Sequence, residues 1–212
     1  MGVPVLIMGP SGSGKSSSLR NFDADEIGLI NVSGKRLPFR GALPYAQVTN
    51  SSDVRAAISK GTRRAYVIDD AQYLMSFEEM DSKKSGFDKW NAIGYGFIGL
   101  VRSVSMLPDD TVVYFLMHTE VGEDGRTKAK TLGKIIDNHY TLEGLFPIVL
   151  MAGMSKSRHW FETVNDGSST VKAPPDMFDG EQIDNDLKAV DAAIRDYWGM
   201  RPLSTAAGGD AE

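Results

Sequence analysis

One stretch, Gly9-Pro10-Ser11-Gly12-Ser13-Gly14-Lys15-Ser16, constrains the fold of this 212-residue chain more than any other. It satisfies the pattern G-x-x-x-x-G-K-[ST] in full. It also sits where that pattern has meaning, between an apolar run, Val3 to Met8, and a short helix expected over Ser16 to Asn21. Glycines let backbone N–H groups converge on one anion without side chains in the way. Lys15 is then placed to put its ammonium on β/γ-phosphate oxygens, and the Ser16 hydroxyl to ligate Mg²⁺. The expected phosphate-binding set is Gly9, Pro10, Ser11, Gly12, Ser13, Gly14, Lys15, Ser16 and Ser17, with the helix adding the positive end of its dipole. The competing reading is a flexible Gly/Ser loop that matches by chance. The flanking strand and helix argue against it.

Strand-like runs recur downstream. They are expected at 27–32, 64–70, 111–117 and 146–151, alternating with helices over Ser52–Lys60, Asp88–Met106 and, less distinctly, 132–138. Ser52 or Asp53 is the expected cap of the first of these helices. Lys35 to Gly41 carries Pro and Gly and reads as loop, as does the polar stretch from Met75 to Gly86. The glycine-bearing, basic segment 120–130 also reads as loop. His159–Val164 and Thr170–Lys172, joined by Asn165-Asp166-Gly167, read as a β-hairpin. Ile183 to Trp198 reads as an amphipathic helix, and residues 200–212 as a disordered tail. Alternating strands and helices imply an α/β fold with a mostly parallel sheet covered on both faces.

Ligands in such sheets bind at the carboxyl ends of the strands. Three chemically capable groups follow directly on expected strands there: the glycine loop, Asp69-Asp70 and His118. Asp69 is the expected Mg²⁺ partner of Ser16, and Asp70 the acid that polarises an attacking water. The plain alternative is a strand end followed by a solvated turn. His118, or Thr119 beside it, is a candidate sensor of the terminal phosphate, with a satisfied polar cap as its alternative. Glu120 is a further candidate for positioning water. Together with Lys15, these residues (Asp70, Glu120 and His118) are the catalytic candidates.

Arg126, Lys128, Lys130 and Lys134 form the clearest basic cluster. It suits a nucleic-acid backbone, a cation inserted into a neighbouring subunit's site, or simply a solvated charge run. The net charge of −5 argues against a protein that coats nucleic acid over its whole surface. No apolar run approaches the roughly 20 residues that span a bilayer, the N-terminus lacks the basic region of a secretory signal, and there is no cysteine. A cytoplasmic setting is expected.

On GPSGSGKSS, NVSGKRLPFRG, VIDDAQYL and the strand ending in MHTE, the chain resembles phage-encoded RecA-like and AAA-type P-loop ATPases over about residues 3–198. It is most similar to short ATP-binding proteins of the recombination and single-strand-annealing kind. The resemblance implies one RecA-like P-loop NTPase domain over residues 1–199, with a β-hairpin and helix at its C-terminal end. It further implies ATP and Mg²⁺ as ligands, single-stranded DNA as partner, and a homo-oligomeric ring or filament in the cytoplasm of a bacterial host. Two departures stand out. RecA proper has a catalytic glutamate at the end of its second strand, where this chain has Val32-Ser33-Gly34. The expected order of elements also does not supply the helical C-terminal domain of a full AAA+ module, since only one expected helix, Ile183–Trp198, follows the last strands. A small nucleotide kinase and a non-hydrolysing, ATP-switched assembly factor are the alternatives.

Overall fold

The computed structural model describes residues 1–41, 43–132, 136 and 141–203. Strand β1 (Val3–Met8) is the hub of an eight-stranded sheet. It pairs in parallel with β5 (Val112–Met117) on one side and with β8 (Ile148–Met154) on the other. Beyond β5 lie β4 (Ala65–Asp69), β2 (Gly28–Asn31) and the two-residue β3 (Tyr45–Ala46), all parallel. On the far side of β8, β9 (His159–Glu162) and β10 (Gln182–Asp184) continue antiparallel. The spatial order is β10-β9-β8-β1-β5-β4-β2-β3. The expected α/β architecture with a mostly parallel sheet is therefore present.

The two central strands β1 and β5 are apolar or aromatic at every position because both faces of the sheet are covered. Leu6, Met8, Ile68, Phe115 and Met117 pack into one core beneath α1 (Ser51–Ser59), α2 (Gln72–Asp81) and α3 (Gly86–Ser103). Val5, Ile7, Val67, Tyr114 and Leu116 pack into a second core beneath α4 (Leu187–Tyr197) and the turn over Ser16–Asn21. Alternate side chains of a strand point to opposite faces, so a single run such as Val5-Leu6-Ile7-Met8 serves both. No helix among the described residues is long and apolar enough to cross a membrane.

Several local expectations need correction. Met75–Gly86 is not a loop: α2 occupies Gln72–Asp81, holding Leu74 and Met75 in the core while its charged residues face outward. Glu78 accepts a hydrogen bond from the Ser51 backbone N–H, which ties α2 to the start of α1. The cap of α1 is Asn50, whose side chain accepts from the Asp53 N–H, rather than Ser52 or Asp53. Segment 120–130 is not an open loop either. It forms the antiparallel hairpin β6 (Thr119–Val121) and β7 (Thr127–Ala129), closed through Gly122 and Gly125.

The hairpin expected between 159–164 and 170–172 does not form. Phe161 belongs to one core and Val171 to the other, so the two segments serve opposite faces of the sheet. β9 pairs instead with β8 and β10, while Lys172 bridges to Val149. Ile183 lies opposite Phe161 in β10, and the last helix starts later, where the Asp186 carboxylate caps the N–H groups of Lys188 and Ala189. Residues 200–203 are docked rather than loose: Met200 and Leu203 pack on the second core, and Arg195 donates to the Arg201 carbonyl. The remainder of the expected tail, 204–212, lies outside the described residues, as do Lys134 and nearly all of the helix expected over 132–138.

Candidate functional site

The site is assembled at the carboxyl ends of β1, β2, β4 and β5. The glycine loop leaves β1 and is anchored at once, because the Gly9 N–H donates to the Met117 carbonyl at the end of β5. Gly12 (φ +82°) and Gly14 (φ +96°) adopt the left-handed region that glycine enters without penalty. The helix expected after the loop is a 3-10 helix of six residues, Ser16–Asn21, so the field from its N-terminus is modest. Ser18 fastens the turn by donating through its hydroxyl to the Lys15 carbonyl at 2.6 Å.

Lys15 is 6% exposed and folds back over its own loop, donating to the carbonyls of Gly9 at 2.7 Å and Pro10 at 3.0 Å. Burial pushes its pKa down to about 8, against the pull of Asp70 and Asp69. The Ser16 hydroxyl donates to the Asp69 carboxylate at 2.9 Å, joining two segments 53 residues apart. Burial raises the Asp69 carboxyl to about 6, and the neighbouring Asp70 charge adds to the effect. These are the two hard oxygens expected to hold Mg²⁺. They fit, because that ion is usually bound through one or two protein oxygens, with phosphate and water completing its octahedron.

Asp70 adopts φ +60°, a strained value for a residue with a side chain. Its carboxylate meets three partners. His118 Nε2 lies 3.3 Å from one oxygen, Lys35 Nζ lies 3.3 Å from the other, and the Ser33 hydroxyl also donates to it. Burial works to raise the pKa of Asp70, but Ser33, Lys35 and His118 together hold it below the ordinary value. His118 is itself lowered, first by burial and then by Lys15. Its backbone N–H donates to the Gln72 side chain, which fixes the end of β5 against the start of α2.

Not every candidate converges here. Glu120 lies on the β6–β7 hairpin, opposite Lys128 and 3.5 Å from its ammonium. Thr119 pairs with Ala129 in the same hairpin. Arg126 and Lys130 are exposed on it, and the Lys130 N–H donates to the His118 carbonyl, so the hairpin grows directly from the site.

Sequence reasoning missed several residues around the site. Ser33 and Lys35 follow β2, and their position just past a strand's carboxyl end was a usable signal. His159 and Asn185 carried no such signal. The His159 Nδ1 lies 3.1 Å from the Ser13 carbonyl, and a Cβ on Gly14 would come within 3.0 Å of that nitrogen and 3.1 Å of the Asn185 amide. Asn185 is buried, and its amide nitrogen has no partner among the described residues. The Ser13 hydroxyl is likewise buried and unpartnered among them. A broad depression of about 1760 Å³ at the amino ends of the central strands, bordered by Gly2, Arg102 and Pro108, contains none of these groups.

Compared with models of known protein families and with curated proteins, the chain matches none of them.

Proposed function

We propose that the chain is a P-loop nucleoside triphosphatase that binds Mg-ATP on residues 9–17 and couples its hydrolysis to the handling of phage DNA. The observation that carries this reading is the Ser16–Asp69 hydrogen bond, which brings the glycine-loop hydroxyl onto the strand-end carboxylate expected to share its metal ion. A chance Gly/Ser loop has no reason to meet that acid.

In this reading, Lys15 exchanges the Gly9 and Pro10 carbonyls for phosphate oxygens, and the inward N–H groups of the glycine loop hold the β-phosphate. Ser16 and Asp69 would hold a Mg²⁺ ion, whose charge would offset the charge that develops on the phosphate oxygens. Asp70 orients water, and His118, held against Asp70, reports the state of the terminal phosphate. DNA work, with single-stranded DNA as partner and a ring or filament as the assembly, rests on resemblance to RecA-like and AAA-type phage ATPases. The outward cations of the β6–β7 hairpin suit a phosphate backbone, and the hairpin's bond to His118 gives a route from that surface to the site.

One observation favours a second reading, a slow ATP-switched assembly factor. Asp70 is already engaged by Ser33, Lys35 and His118, which leaves it poorly available to activate water. A single assay separates the two: ATP turnover with and without single-stranded DNA, for the wild type, Lys15→Ala and Asp70→Asn. Stimulation by DNA, lost in both variants, supports the ATPase. Tight nucleotide binding with almost no turnover supports the switch. An unchanged rate in Lys15→Ala would refute the nucleotide site itself.

A further inference from the structure

The segment Lys35–Gly41 has no nucleotide-binding role in the reading above, yet the structure brings its first residue to the edge of the site. β2 runs beside β4 with Asn31 in register with Asp69, so the chain leaving β2 passes the acid pair. Asn31 is buried, and its side chain pins that chain at two points. It accepts from the Gly34 N–H at 2.9 Å and donates to the Lys35 carbonyl at 2.6 Å, and its amide oxygen lies 3.3 Å from the Ser33 hydroxyl oxygen. Gly34, at φ +67°, makes the turn these bonds require. The Lys35 side chain is thereby sent across the Tyr73 ring, 5.4 Å from its centroid, to Asp70.

The two partners are unequal. The Asp70 side chain is 10% exposed and that of Lys35 66%, so the ammonium stands on the open side of a nearly buried carboxylate. Such a half-solvated pair adds little to stability, and an elaborate anchor for it is hard to explain by folding alone. Its field also reaches the site, since Lys35 acts to lower both Lys15 and His118.

We propose that Lys35 is a specificity-determining residue of the phosphate site: it reads the terminal phosphate of a nucleoside triphosphate, exchanging Asp70 for a phosphate oxygen. The exchange is local, because the Asn31 bonds hold the Lys35 backbone while its four-carbon stem swings. It would release one of the three groups engaging Asp70, linking triphosphate binding to the availability of that acid.

The inference rests on the nucleotide-binding reading, and the test keeps the two apart. Affinities of a non-hydrolysable ATP analogue and of ADP, both with Mg²⁺, are measured by calorimetry for the wild type, Lys35→Ala and Lys35→Arg. The expected result is a loss of about tenfold or more for the triphosphate in Lys35→Ala, less than twofold for ADP, and substantial recovery in Lys35→Arg. Equal weakening of both nucleotides, or of neither, overturns the role of Lys35 while leaving the site intact. A wild type that binds neither nucleotide overturns the site and this inference together. Because the side chain is mostly exposed, the variants are expected to fold, and their thermal unfolding checks that.

Discussion

The Ser16 hydroxyl donates a 2.9 Å hydrogen bond to Asp69, a carboxylate that burial has raised to about 6. An acid raised in this way favours its protonated form in the fold. Its contribution to stability is present below the unfolded value of 3.8 and is lost as pH rises through about 6. The separation corresponds to roughly 3 kcal/mol at about 1.4 kcal/mol per pK unit. We predict that Asp69→Asn is more stable than wild type at pH 7.5 in the absence of nucleotide, and shows a flatter stability profile between about pH 4 and pH 6. The same variant is expected to lose the stabilisation conferred by Mg-ATP. Urea denaturation across pH, with and without Mg-ATP, checks both halves.

Lys15 carries the opposite kind of shift. Held at about 8 by burial, it is roughly half neutral at pH 8, whereas a phosphate beside it would restore the charged form. Nucleotide binding at pH 8 should therefore take up about half a proton, and affinity should fall as pH rises above 8. Calorimetry in buffers of different ionisation enthalpy measures the uptake. Lys15→Ala is expected to abolish it together with most of the affinity.

Gly14 has no room for a side chain. At φ +96°, with His159 Nδ1 3.0 Å from where a Cβ would stand, Gly14→Ala must strain the loop or displace β9. A destabilisation of roughly 1–3 kcal/mol is expected, with nucleotide affinity reduced far more than stability because the converging N–H groups lose their aim. Denaturant titration beside nucleotide binding shows whether the two losses separate. If binding survives intact, the loop does not form the phosphate cradle.

A different prediction concerns the scaffold. Arg195 is 2% exposed and pairs with Asp191, which also accepts from Tyr114. It donates as well to the carbonyls of Asp110, Arg201 and Arg64, tying α4 to the lead-ins of β4 and β5 and to the chain beyond the helix. Removing one partner of such a pair leaves a buried charge uncompensated, so Arg195→Ala should cost about 3–5 kcal/mol. The double variant Arg195→Met with Asp191→Leu is expected to recover part of that loss. Thermal unfolding of the three proteins provides the comparison.

Much of the sheet was legible because strands buried on both faces are continuous apolar runs, and β1, β4 and β5 are such runs. Helix α2 was not, because polar residues interrupt its apolar ones, and only Leu74 and Met75 of its apolar side chains are fully buried, with Tyr73 and Phe77 packing at the margin of the core. The β9–β10 pairing escaped for a related reason. Nothing local in Phe161 or Val171 says that they belong to opposite cores, so the nearer partner looked right.

The sequence alone determined the glycine loop. Glycine backbone freedom, a lysine and a serine at fixed spacing after an apolar strand are local properties, and Asp69, Asp70 and His118 at strand ends were legible for the same reason. Tertiary structure alone decided which of these groups meet. It joined Ser16 to Asp69, turned Asp70 toward Ser33, Lys35 and His118, and carried Glu120 off to Lys128. It also brought His159 and Asn185 against Gly14 from far along the chain. Register between strands distant in sequence sets those contacts, and that register follows from the packing of two cores against one sheet.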